Sequence, residues 1–337
     1  VPACNDGSGH CMRLKCSIPD TSNPMSDSPK SGTQAVYNRF LLIVAGLGGL
    51  LYGIDIGIID PALGYLGRTI SMTEENKSII VAAVLGGSMF ASVIAGFFAD
   101  LMGRKLMIIV SAVMFVASVA IIFTSQSYIP LLLGRLLQGM SGGVIAVVVP
   151  LYLAECLKAD VRGKGTSIFQ FMLTFGIVVA AFIGDHYTKN AEAAIDLAKG
   201  NQEAILAAAN HAWRGMFLSV IYPGILFLIG GFFLSESPRW LYRKGRKDQA
   251  RTAMLRSRTV AEADFELAEL ETALVHEHAK PKISLTESFG EIFTQRKYIV
   301  PFIIACVILG CNQATGINSI LGFMTTILQQ AGMAAEA

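Results

Sequence analysis

Two charged side chains lie within apolar segments that are long enough to cross a membrane. Asp55 belongs to the run that begins at Phe40, and Arg135 to the run that begins at Pro130. A charge at membrane depth costs at least about 2.5–3.5 kcal/mol on insertion scales, so such residues face a bundle interior, pair with one another and mark functional sites. A carboxylate that gains and loses a proton beside a permanently charged guanidinium predicts a proton-sensitive switch.

The depths of these two residues agree. Asp55 follows Phe40 by 15 residues, about 22 Å into a hydrocarbon core about 30 Å thick. If successive segments alternate in direction, Arg135 enters from the opposite side and lies about 8 Å deep. Both groups then lie at nearly the same level, which predicts an ion pair that protonation of Asp55 would release.

The composition is that of a membrane protein. Hydrophobic residues make up 53% of the chain and charged residues 15%, which is unlike a soluble domain. A net charge of +2 gives no reason to expect nucleic acid as a partner. No CxxC, HExxH, Ser-His-Asp set or phosphate-binding glycine loop stands out. We therefore expect a lipid-embedded protein that is not an enzyme and needs neither a metal nor a cofactor.

Seven apolar runs are long enough to span a bilayer and predict an all-α membrane protein. They cover 40–60, 78–99, 106–124, 130–153, 166–184, 215–234 and 299–321. Four regions follow. We expect a disordered leader at 1–38, in which 1–24 precede a translation start at Met25 and are not native to the protein. An N-terminal six-helix bundle covers 39–240, a charged helical linker covers 241–298, and the first span of a truncated C-terminal bundle covers 299–337.

The distribution of lysine and arginine predicts the orientation. The connections 100–105 and 154–165 are rich in these residues, and the connection 125–129 has none. By the positive-inside rule, the N-terminus, both basic connections and the linker face the cytoplasm across the plasma (inner) membrane. The segment 185–213 is then an external loop, in which Ala191–Asn210 could form a surface helix.

Three predicted cytoplasmic ends each carry an acid and a base. These residues predict an ion-pair gate: Asp100, Gly103, Arg104, Glu155, Arg162, Glu236 and Arg239. Exposed ion pairs contribute only about 0–1 kcal/mol each, so such a gate can open repeatedly. The alternative is that each end is an ordinary basic flank of a span.

The same residues form motifs that resemble the sugar porter branch of the major facilitator superfamily. The matching segments are G-x3-D-x2-G-R-K at 96–105, G-R…P-x-Y-x-x-E…R-G at 134–163, E-S-P-R-W-L at 236–241, the first-span Gly53-Ile54-Asp55, and N-Q-A-T-G-I-N at 312–318. The resemblance covers about 39–330 and implies the major facilitator fold, a proton-coupling role for Asp55 with Arg135, and a C-terminal half beyond this chain.

Amide side chains in apolar runs are candidates for the substrate site. Amides both donate and accept hydrogen bonds, so they can bind adjacent sugar hydroxyls. Gln170, Gln313 and Asn318 have this property, and the resemblance places these positions, together with Asn312, in the substrate site. The alternative for any one of them is a hydrogen bond between helices.

The sequence thus predicts a secondary active transporter for a sugar or polyol that moves with a proton by alternating access. Two other functions stay open: an organic-acid or other small-solute transporter of the same fold, and a transporter-like nutrient receptor. Substitutions near the expected sugar path, such as Asp60-Pro61 and Asn312, leave the substrate itself undecided.

Overall fold

A computed structural model of the chain describes residues 32–278, 296–316 and 320. The helices are α1 Gly32–Thr69, α2 Glu74–Met102, α3 Arg104–Thr124, α4 Tyr128–Cys156, α5 Ala159–Leu197, α6 Gln202–Ser219, α7 Ile221–Phe233, α8 Pro238–Arg243, α9 Lys247–Leu255, α10 Val260–His278 and α11 Arg296–Ala314. Within the described residues the fold is therefore helical, as predicted.

Six helical segments are long and apolar enough to cross a membrane. These are α1, α2, α3, α4, α5 and the segment Gln202–Phe233, which contains α6 and α7. The predicted six-helix bundle is confirmed. The predicted seventh span, 299–321, is described only in part: its apolar helical portion is Ile299–Asn312, and residues 317–319 and 321–337 lie outside the described residues.

Helices α1 and α5 approach one another closely through glycines. A Cβ atom at Gly49 would overlap the carbonyl oxygen of Phe169, and one at Gly53 would overlap that of Leu173. Small residues let helix backbones come together in a membrane, where van der Waals contact drives association. The glycines of the first span therefore fix the position of Asp55 against the bundle.

Helices α2 and α4 also approach one another closely through glycines. A Cβ atom at Gly139 would overlap the backbone of Val84, and one at Gly143 would overlap the backbone of Ser88. Because Gly139 lies four residues after Arg135 on α4, this contact fixes the helix that carries the buried arginine.

The first helix begins before the predicted boundary. Helix α1 starts at Gly32 and includes 32–38, which the sequence assigned to the leader. The reason is tertiary: Gln34 Nε2 donates to the carbonyl of Arg258 (2.6 Å), and Asn38 Nδ2 donates to the carbonyl of Ser257 (3.2 Å). These linker contacts stabilise polar residues that have no helical pattern of their own.

The predicted loop at 185–213 is wrong. Helix α5 continues to Leu197 and α6 begins at Gln202, so only 198–201 connect them. The extension is stabilised because Tyr187, Ala191 and Ile195, spaced four apart on one helix face, pack on the core. The predicted surface helix is instead divided between the end of α5 and the start of α6.

The linker packs on the same end of the bundle as the beginning of α1. Arg258, which is 1% exposed, donates to the carbonyl of Leu157 (3.2 Å) and pairs with Glu266 (3.0 Å). The backbone N–H of Thr259 donates to Glu262 Oε2 (2.9 Å), which is half of a capping box at the start of α10. The described part of the linker, 241–278, is therefore helical and packs at this end of the bundle, which we call the linker side.

The close α2–α4 contact gives a stability prediction. Gly139→Ala should lower the melting temperature of the detergent-solubilised protein by several degrees, because overpacking costs about 1–3 kcal/mol. Gly86→Ala is the matched control, since nothing lies within 4 Å of a Cβ atom at Gly86. Equal melting temperatures for the two variants would contradict the close contact.

Candidate functional site

The structure brings Asp55 and Arg135 together in the interior of the bundle. Arg135 Nη1 on α4 lies 3.2 Å from Asp55 Oδ1 on α1, and the side chains are 1% and 0% exposed. Removing one partner of a buried pair leaves an uncompensated charge, which costs about 3–5 kcal/mol. The two helices are therefore linked by an interaction whose strength depends on the charge of Asp55.

Two further side chains surround the guanidinium of Arg135. Gln138 Oε1 accepts a hydrogen bond from Arg135 Nη1 at 2.9 Å. The ring of Phe217 on α6 lies beneath the guanidinium, with its centroid 5.3 Å from Cζ, within the range of a cation–π interaction. Three helices thus contribute groups to one charge.

The pair is not saturated with hydrogen bonds. Asp55 Oδ2, Arg135 Nε and Gln138 Nε2 are buried without a hydrogen-bond partner. Buried polar atoms are normally bonded, and those that are not deserve a functional explanation. A carboxylate held by only one of its oxygens keeps the other available to accept a proton.

A second cluster, which we call the linker-side ion cluster, consists of Asp100, Arg104, Glu155 and Glu236. The Arg104 side chain is 3% exposed, and its Nη2 donates to Glu155 Oε1 at 2.9 Å. Its Nε also lies 2.9 Å from Glu155 Oε2, an ion-pair contact that is not aligned as a hydrogen bond. Nη2 lies 2.7 Å from Asp100 Oδ1, which is at the exposed edge.

The side-chain carboxylate of Glu236 binds backbone N–H groups at the beginning of α3. Glu236 Oε1 accepts from the N–H groups of Arg104 (2.8 Å) and Lys105 (3.1 Å). Helix N-termini favour such a carboxylate because their first N–H groups lack partners within the helix. Gly103 is required here for two reasons: its φ is 99°, and a Cβ atom would overlap the Glu236 carboxylate.

Two residues that contact this cluster, Ser237 and Trp240, were not predicted as part of the gate from the sequence. Ser237 Oγ donates to Glu155 Oε2, and Trp240 Nε1 donates to the carbonyl of Asp100 (2.9 Å). Ser237 precedes Pro238, the pattern of an N-cap followed by proline at the first helical position, so a local signal was present. That signal predicts the cap but not the distant acceptor.

Arg162 and Arg239 do not join the cluster. Neither forms an ion pair with a residue that the structure describes. Arg239 is exposed because its neighbours Pro238 and Trp240 face inward on α8. Arg162 is half-buried on the first turn of α5. The predicted gate thus places four of its charged residues together and leaves these two outside.

A salt bridge joins the linker to the start of α5. Lys158, at the start of α5, pairs with Glu262 on α10. Partial burial raises the pKa of Glu262, but hydrogen bonds from Lys158 and Thr259 outweigh it and hold the pKa at about 2. The stabilisation is present above the unfolded pKa, about 4.3 for glutamate, and is lost as the pH falls towards 2. The salt bridge therefore does not titrate at physiological pH.

The predicted substrate amides are only partly described. Gln170 is exposed on α5, and Asn312 is exposed on α11. The side chain of Gln313 and the whole of Asn318 lie outside the described part. The exposed position of Gln170 gives no support for an interhelical hydrogen bond within this bundle, so its role as a substrate ligand stays a prediction.

A cavity of about 720 Å³ opens on the linker side. Lys105, Arg246 and Arg256 are among the residues that line it, and neither Gln170 nor Asp55 is. Its position at the ends of the helices, away from the buried ion pair, does not fit a path through the bundle. This cavity is therefore separate from the buried Asp55–Arg135 pair.

Comparisons with known proteins show the family to which the chain belongs. The family model described as sugar (and other) transporter matches residues 41–337. The galactose-proton symporter of Escherichia coli (strain K12) is 31% identical over 310 residues, which are 91% of this chain and 61% of that protein. The major myo-inositol transporter IolT of Bacillus subtilis (strain 168) is 28% identical over 315 residues, again 91% and 61%. The chain thus spans about three fifths of these relatives.

Solved structures share the fold. A partially occluded, inward-open conformation of the xylose transporter XylE from E. coli has a TM-score of 0.65 at 24% identity, covering 85% of this chain and 66% of that one. An inward-open conformation of the same transporter has a TM-score of 0.61 at 26% identity, covering 86% and 63%. With a family model that matches most of its length, the chain belongs to the sugar (and other) transporter family.

Proposed function

We propose that this chain is the N-terminal part of a secondary active transporter that moves a sugar or polyol together with a proton. The observation that carries the proposal is the buried Asp55–Arg135 pair, one acid and one base at 3.2 Å inside the membrane bundle. Support comes from relatives whose names give galactose-proton symport and myo-inositol transport. We further propose that the linker and the N-terminus face the cytoplasm across the plasma membrane, as the basic connections indicate.

The coupling follows from the state of the pair. Arg135 stays charged because a guanidinium does not lose its proton in proteins. With Asp55 ionised, the attraction holds α1 against α4; with Asp55 protonated, that attraction is lost and the two helices are free to move relative to one another. Proton binding thereby changes which arrangement of the bundle is favoured, which is what coupling requires.

The linker-side ion cluster is the proposed cytoplasmic gate. It ties the end of α2, the start of α3, the end of α4 and the start of α8 through Arg104 and Glu236. A substrate path between the two halves of a transporter can open on this side only when such ion pairs and hydrogen bonds between helix ends break. We therefore assign the cluster to the arrangement that is closed towards the cytoplasm.

The function is tested by uptake in a host that lacks sugar transport. The full-length transporter should accumulate galactose, xylose or myo-inositol, with alkalinisation of a weakly buffered medium as the proton enters. Accumulation of organic acids instead would support the small-solute alternative. Tight sugar binding with no uptake would support a receptor and contradict transport.

Asp55→Asn should abolish accumulation of the substrate against its gradient and preserve exchange of labelled for unlabelled substrate. The amide keeps the size of the side chain but carries no titrating proton. Uptake with and without a protonophore measures the first effect, and counterflow measures the second. The control is Asp185→Asn, which removes an exposed carboxylate paired with Lys189. Proton-driven accumulation by Asp55→Asn at the wild-type level would contradict the proton-coupling role.

Glu155→Gln should shift the transporter towards the inward-open arrangement. Hydrogen bonds to charged groups contribute about 1.5–3 kcal/mol, so we expect a population change of roughly ten- to a hundredfold. Labelling of cysteines introduced along the cytoplasmic side of the substrate path between the two halves of the full-length transporter measures the change. Glu74→Gln is the control, since its partner Lys77 lies at the far end of α2. Equal labelling of wild type and Glu155→Gln in the absence of sugar would exclude Glu155 from the gate.

Gln170→Ala should weaken substrate affinity by roughly ten- to a hundredfold, because loss of a hydrogen-bonding partner leaves a substrate hydroxyl unsatisfied at a cost of about 1–3 kcal/mol. The dissociation constant of purified full-length protein measures this effect. Gln202→Ala, at the exposed start of α6, should bind like wild type. An unchanged affinity for Gln170→Ala would make Gln170 a surface or packing residue.

A further inference from the structure

One nitrogen of Arg135 contacts two acceptors. Nη1 lies 3.2 Å from Asp55 Oδ1 and 2.9 Å from Gln138 Oε1. Gln138 follows Arg135 by three residues on α4, so both side chains lie on the same helix face, and Gln138 is fully buried. A neutral acceptor thus lies closer to the guanidinium nitrogen than the carboxylate does.

The arrangement matters most after Asp55 gains a proton. The guanidinium then remains charged in a region from which water is excluded, where an unpaired charge is very costly. Gln138 Oε1 still accepts its hydrogen bond, and the ring of Phe217 still faces its positive charge. Because Gln138 Oε1 shares Nη1 with Asp55, it competes with the carboxylate while the pair is intact and keeps this nitrogen bonded after Asp55 is protonated. The carboxylate therefore loses less when it is neutralised.

Few other charged groups lie near the Asp55–Arg135 pair to interact with either side chain. The spans packed around Arg135 carry no Asp, Glu, Lys, Arg or His over 78–99 of α2, 106–124 of α3, 165–184 of α5 and 215–233 of α6 and α7. On α1, Asp60 lies five residues after Asp55 and is itself partnered, and the phenol of Tyr52 is bonded to Ser88 at 3.4 Å. Arg214, three residues before Phe217 on α6, donates hydrogen bonds to the carbonyl groups of Phe123 and Ser125 at the end of α3. We therefore treat Asp55, Arg135 and Gln138 as one group when Asp55 gains or loses its proton.

We propose that Gln138 is a positioning residue for proton coupling: its Oε1 holds the guanidinium of Arg135 when Asp55 is protonated and so lets Asp55 bind its proton at lower proton concentration. Asp55 Oδ2, buried and without a partner, is the oxygen that receives the proton while Oδ1 faces Nη1. The inference rests on the proposed proton-coupled transport and adds to it the residue that sets the pH range.

Two substitutions with opposite expected effects test the proposal. Gln138→Leu removes the acceptor with little change in volume, so the Asp55 carboxylate becomes the one hydrogen-bond acceptor left for Arg135 among the contacts described above. The pH of half-maximal proton-driven uptake should move about one unit towards acid, a tenfold higher proton concentration. Gln138→Glu adds a second carboxylate to one guanidinium, and two acids that share one base retain a proton to higher pH. That variant should move the profile towards alkaline pH by about one unit or more.

The measurement is uptake by proteoliposomes containing the full-length transporter, over a range of external pH. Equilibrium exchange at neutral pH reports on folding and substrate binding, and both variants should keep it within about threefold of wild type. Gln126→Leu, in the exposed α3–α4 connection, is the control for the same chemical change away from the pair.

The outcomes separate this inference from the proposed function. Wild-type pH profiles in both variants, or shifts in the same direction, would overturn the role of Gln138, even if Asp55→Asn uncouples transport as expected. If Gln138→Leu fails to fold, the profile of Gln138→Glu decides alone, and the absence of an alkaline shift overturns the proposal. Proton-driven accumulation by Asp55→Asn would overturn proton coupling and, with it, this inference.

Discussion

The fold of the bundle accommodates one costly interaction, the ion pair between Asp55 and Arg135 in its interior. Two charges at 3.2 Å, almost fully removed from solvent, repay their desolvation only when the geometry is maintained and other polar contacts assist. Gln138 and Phe217 supply such contacts from two helices. The pair is thus weak evidence for stability and strong evidence for function, since an apolar pair would pack as well without a charge.

Close packing keeps the pair in place. In lipid, helices gain nothing from burying apolar surface against one another, so contact area and small residues decide their association. The glycines of α1 lie against the backbone of α5, and those of α4 lie against the backbone of α2. Asp55 and Arg135 are therefore carried on helices whose separation is set by direct backbone contact, and a small displacement of either helix changes their distance.

The linker side depends on carboxylates that bind more than one partner. Glu155 contacts Arg104 and Ser237, and Glu236 accepts from the first N–H groups of α3. Each acid joins segments that are far apart in sequence, so the ends of α2, α3, α4 and α8 form one connected network. Such a network can be rearranged in discrete steps, since loss of one acid releases several helix ends together.

The sequence by itself determined the six spans of the bundle, the pairing of Asp55 with Arg135, and the family motifs, because long apolar runs and isolated charges are local signals. It did not determine the true ends of α1 and α5, which are set by contacts with the linker and the core. It also could not show that Gln138 shares a nitrogen with Asp55, or that Arg162 and Arg239 lie outside the ion cluster. These facts depend on how helices rotate and pack, and only the tertiary structure decides which of several equally charged side chains share a buried partner.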